Sequence, residues 1–110
     1  MSAGSAADVL AQLWAKSREG VLARVAVIEG AVSALQAGTL DTDSRAAAER
    51  AAHKLAGVAS TFGHWDVGDM AREVESAFEG IGPIPPSRAT QLSEIAAKLR
   101  VHLSAPATTA

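Results

Sequence analysis

The chain has 110 residues, two Trp, two Phe, no Tyr and no Cys, with ten basic and twelve acidic residues for a net charge of −2. That length allows one domain, which buries roughly two-thirds of its unfolded surface without disulfide staples. The absence of Cys excludes disulfides, thiolate metal sites and thiol nucleophiles, and the scattered charge argues against nucleic acid, which selects a basic stripe with stacking aromatics.

The start, Met1–Asp8, has no basic stretch followed by an apolar run, so no signal peptide is read there. No stretch is read as approaching the ~20 apolar residues that span a bilayer. A cytoplasmic protein without a membrane partner is therefore expected.

Alanine dominates and β-branched runs of period two are missing, so every element is read as helix. Asp8 is a plausible N-cap or first-turn acid for a helix beginning near Val9. Apolar residues then recur at Val9, Leu10, Leu13, Trp14, Val21, Leu22, Val25, Ile28, Val32 and Leu35. Gly20 marks either a break between a short first helix and a long second one, or only a weak point. The helix ends near Gly38, a natural C′ residue.

Thr39–Ser44 is a polar connector in which Asp41, Thr42 or Asp43 is available as an N-cap. A third helix is expected from about Ser44 to Thr61, stopping at Gly63. A fourth starts near Trp65 or Asp66 and carries Val67, Met70, Val74, Ala77 and Ile81 on one stripe. Gly80, Gly82, Pro83, Pro85 and Pro86 form the clearest loop. A last helix from about Ser87 to Leu103 buries Leu92, Ile95, Ala96, Leu99 and Leu103. The chain thus reads as a single all-α domain spanning 1–110, ordered over about 8–104, with a flexible tail at 105–110. The expected architecture is an up-and-down four-helix bundle with a short extra N-terminal helix.

The third helix carries the functional signal. Ala48, Ala52, Leu55, Ala59 and Phe62 are spaced by four, three, four and three residues, so they share one face within an arc of roughly 80°. His53 lies roughly 140° from the centre of that stripe and Gly57 roughly 180° away, both toward solvent. A helix-interior glycine costs ~0.5–1 kcal/mol relative to alanine, the residue used almost everywhere else in this chain. One turn beyond His53 on the same side, Gly57 leaves the imidazole open to a large partner. Arg50, one turn before His53, and Lys54 on its flank add positive charge. His64 and His102 lack companions at metal-ligand spacing and are read as structural or surface residues, so no metal site is expected.

The string His53-Lys54-Leu55-Ala56-Gly57, continuing through Ala59 to Phe62-Gly63, resembles the phosphoacceptor motif of histidine-containing phosphotransfer (HPt) domains. His53, Leu55, Gly57 and Gly63 match it, and the likeness extends over the whole chain, including an Arg-Glu-Val-Glu stretch in the following helix. The resemblance implies a phosphocarrier rather than a conventional enzyme. His53 would accept a phosphoryl group from a receiver-domain aspartate and pass it to another receiver in two-component signalling. It implies no cofactor on this chain, Mg²⁺ on the partner receiver, response-regulator receivers and a hybrid histidine kinase as partners, and a monomer. It assigns Glu75 the role of orienting the imidazole, and it places the docking surface around Ser60 and Thr61 with help from the N-terminal helix. Val9, Leu10, Leu13 and Trp14 are then divided between core and interface, Trp14 more with the core. The chain departs from the family at Ala56, where many members carry lysine; Lys54 and Arg50 are the available substitutes.

Two other readings fit the same fold. One is a non-catalytic helical interaction module related to HPt domains. The other is the phosphoacceptor domain of a chemotaxis-type histidine kinase, whose ATP-binding part would be a separate unit, since this chain has no Gly-rich phosphate loop.

Overall fold

The computed structural model describes residues 5–104, which form four α-helices and no strand. They are α1 (Ala6–Ala37), α2 (Thr42–Thr61), α3 (Trp65–Phe78) and α4 (Pro86–Ser104). The segment 105–110, read from sequence as a tail, lies outside the described residues.

The ends of α1 and α2 lie where local chemistry satisfies free backbone groups. Ser5 caps α1 by accepting the Asp8 backbone N–H at 3.1 Å, which leaves Asp8 as a first-turn acid. Asp41 caps α2 by accepting the Ser44 N–H at 2.7 Å, and this bond holds the Asp41 carboxyl below its ordinary range. Gly38 and Gly63 adopt left-handed φ of 74° and 77° just past α1 and α2. There the next N–H turns back to Ala34 O and Ala59 O, closing the two helix ends. Pro86 opens α4 in the first turn, where backbone N–H groups have no partner within the helix and a missing one is tolerated.

Short connectors make neighbouring helices antiparallel. The start of α1 meets the end of α2 through Trp14 and Phe62, and the end of α4 through Arg18 Nη2 and Ser104 O, 2.6 Å apart. The core is filled by Val25 and Ile28 of α1, Leu55 of α2, Val74 and Phe78 of α3, and Leu92 and Leu99 of α4. Burial of each large side chain stabilises the bundle by roughly 1.5–3 kcal/mol.

Three expectations change. First, among the described residues there is no separate N-terminal helix, because α1 runs unbroken through Gly20. One glycine costs a helix about 1 kcal/mol, too little to interrupt a ladder continued on both sides. At about 1.5 Å per residue, α1 is about 48 Å long against about 30 Å for α2, so its first turns overhang the bundle. Val9, Leu10 and Leu13 are each 45% exposed there. Second, Ile81 leaves the stripe of α3: the helix stops at Phe78, which is buried, and Ile81 is 94% exposed in the loop. Third, α1 is in fact long and apolar enough to cross a membrane, with a mean hydropathy of 1.4. Its Val21, Val25, Ile28, Ala31 and Val32 are buried in the bundle core, while Val9, Leu10, Leu13 and Val27 are exposed.

Arg45 anchors the 79–85 loop to the end of α3. Its guanidinium donates to the carbonyls of Phe78 at 3.0 Å, Glu79 at 3.1 Å and Gly82. Arg45→Ala should lower stability by about 1–2 kcal/mol, read as a reduced urea midpoint with an unchanged slope.

Across α1 and α4, Arg100 forms a two-pronged pair with Glu29, at 2.6 and 3.1 Å. The hydrogen bond from Arg100 holds the Glu29 carboxyl below its ordinary value of 4.5. The pair therefore stabilises the fold above that value and stops doing so as pH falls through the lowered folded one. Glu29→Gln should flatten the acid limb of a stability–pH profile and leave the slope above pH 6 unchanged (roughly 1.5 units beyond the ordinary carboxylate range).

Candidate functional site

Helix α2 presents its alanine and leucine stripe inward: Ala48, Ala52, Leu55 and Ala59 are completely buried. That orientation turns His53 to the opposite side, where its side chain is 73% exposed. The ring is nonetheless held. Its Nδ1 lies 2.7 Å from Oε2 of Glu75, which projects from α3 and is 24% exposed. An ionised carboxylate only accepts hydrogen bonds, so opposite an ionised Glu75 the Nδ1 is the donor, and in the neutral ring this leaves the lone pair on Nε2.

The glycine beside it has no reason within the chain. A Cβ built on Gly57 would meet nothing within 4 Å. Gly68 on α3 is the contrasting case. A Cβ there would come within 3.1 Å of Ser60 Oγ and 3.7 Å of the Ala56 carbonyl. Gly68 therefore serves the close approach of α2 and α3, whereas no neighbour within the chain requires a glycine at 57.

An open hollow of about 420 Å³ lies along α2 on the side facing α1. His53, Lys54, Gly57 and Thr61 line it, together with Arg24 from α1. Thr61 is tied down by donating its hydroxyl to the Gly57 carbonyl at 2.9 Å. Ser60, its sequence neighbour, belongs to the other flank of α2, where it accepts from Arg72 at 2.8 Å. The two residues expected to share a docking surface thus lie on different sides of the helix, and Thr61 is the one in the hollow. Of the two basic candidates, Lys54 lines the hollow and Arg50 does not. Ala56 is buried beside Gly68, inside the α2–α3 contact.

Sequence reasoning missed Arg24. No spacing relates it to His53, since it arrives from another helix through the antiparallel packing of α1 on α2. It also missed the stack of His64 on Trp14, with ring centroids 4.1 Å apart and 30° between planes. Trp14 in turn packs on Phe62 at 5.4 Å, so these three rings cover the end of the core where α1 begins to overhang. Among the described residues, no three His, Asp or Glu side chains converge as a metal site requires.

A family model for the Hpt domain matches residues 8–102. Among curated proteins and among solved structures, none matches the chain.

Gly57→Ala separates fold from function at this site. It should raise stability by about 0.5–1 kcal/mol through helix propensity, measured by urea unfolding, because the added methyl meets nothing. The same methyl should slow any reaction that brings a partner to His53 Nε2.

Proposed function

The chain belongs to the Hpt domain family, and we propose that it works as a phosphorelay intermediate with His53 as the residue that carries the phosphoryl group. The family implies phosphotransfer in two-component signalling, with receiver domains and kinases as the interacting class. The observation that carries the more specific reading is the state of one imidazole: exposed, oriented by Glu75 through Nδ1, and open at Nε2.

In the proposed step the Nε2 lone pair attacks the phosphorus of an aspartyl phosphate on a receiver. The N–P bond forms as the P–O bond breaks, and its electron pair leaves with the aspartate carboxylate. The ring gains positive charge as it is phosphorylated, and the Glu75 carboxylate, accepting from Nδ1–H, stabilises that charge. The reverse step delivers the group to the aspartate of a second receiver. Such transfer rests mainly on positioning and on charge stabilisation at the phosphoryl oxygens. Mg²⁺ bound by the receiver would supply part of that charge, and this chain contributes an accessible, oriented nucleophile. Receivers of response regulators and of a hybrid histidine kinase are the partners this chemistry requires.

Incubation with a panel of phosphorylated receivers tests the reading. Wild type should acquire an acid-labile, base-stable label that His53→Gln lacks. Glu75→Ala should remain folded and take up label several-fold more slowly. A folded wild type that acquires no label from any cognate receiver would remove the phosphorelay role.

A further inference from the structure

We propose that Arg24, on α1, is the positioning cation of this site and binds the phosphoryl oxygens as the group arrives at or leaves His53. The inference rests on His53 being the phosphoryl carrier and adds a residue to that reading.

A phosphoryl group at Nε2 carries up to two negative charges against the one positive charge the ring gains, and Glu75, on the Nδ1 side, adds a further negative charge nearby. A cation on the opposite side is what the electrostatics lack. The hollow beside His53 holds two, Arg24 and Lys54. Lys54 is an exposed, flexible side chain on the same helix as His53. Arg24 is half-buried, rooted on a different helix and packed back along it, with Nη1 3.5 Å from where a Gly20 Cβ would lie. Less side-chain freedom remains for it to lose, and a guanidinium offers parallel N–H donors to two phosphoryl oxygens.

Its charge is also uncommitted. Arg45 donates to the carbonyls of the α3 end, Arg72 to Asp69 and Ser60, Arg88 to Glu73 and Gln91, and Arg100 to Glu29. Arg24 makes no hydrogen bond or ion pair among the described residues. Arg50 is likewise unpaired but lies outside the hollow. Gly57 links the two ends of the argument. It lines the hollow together with Arg24 and His53, and its missing side chain leaves open space there.

The test uses the full chain as wild type, Arg24→Ala and Arg24→Lys, each checked for unchanged thermal unfolding. Phosphoramidate and phosphorylated receivers serve as separate donors. The Arg24 side-chain Nε–H resonance should shift when phosphoramidate phosphorylates His53 in the wild type, and the shift should vanish in His53→Gln. Transfer from receivers should fall about threefold to tenfold in Arg24→Ala and recover in part in Arg24→Lys. An unmoved Nε–H signal on a phosphorylated wild type overturns the proposal, even if Arg24→Ala slows receivers, because the arginine then acts in docking. Wild-type rates in Arg24→Ala overturn it as well, leaving His53 as the carrier. Absence of label on the wild type from either donor overturns the underlying reading instead.

Discussion

The close contact of α2 with α3 is the constraint on which the rest depends. A carboxylate reaches an imidazole on the neighbouring helix at 2.7 Å only if the two backbones run near each other. Small residues allow it: Ala52, Ala56 and Ala59 are buried on α2, and Gly68 and Ala71 on α3. At Gly68 the tolerance is least, with Ser60 and the Ala56 backbone against the place a side chain would occupy. The small residues of α2 and α3 are therefore what bring Glu75 within reach of His53.

A site on the outside of a helix has to be rigid without being covered. The bundle solves this by division of labour around α2. Its inward stripe is locked into the core through Leu55 and three fully buried alanines. One flank meets α3, which orients the ring through a single carboxylate. The other flank meets α1 and opens into the hollow that holds Arg24. The outermost face, at Gly57, is left bare. Anchoring the histidine on a helix rather than a loop keeps its geometry steady while most of its side-chain surface stays in water.

Most of the secondary structure was legible because helix periodicity and end signals agree in this chain. Gly38, Asp41, Gly63 and the proline-rich segment before α4 all mark ends that the structure uses. The errors arose where a local signal competed with propagation or termination of a helix. Gly20 looked like a boundary, yet the ladder of α1 crosses it. Ile81 continued the apolar spacing of α3, yet the helix had already ended at Phe78, whose ring takes the core position. Apolar spacing alone does not register where Arg45 gathers the last carbonyls of α3 and turns the chain into the loop.

The functional site divides in the same way. The exposure of His53 and Gly57 follows from the sequence, because both are fixed by the angular position of residues on one helix relative to its apolar stripe. Periodicity within a helix is a local property. The Glu75 contact, the meeting of Ser60 with Arg72 of α3, and the presence of Arg24 beside the histidine are decided by tertiary structure. Each depends on which helix packs on which side of α2 and at what height. No spacing along the chain encodes that, because it results from the whole core closing at once.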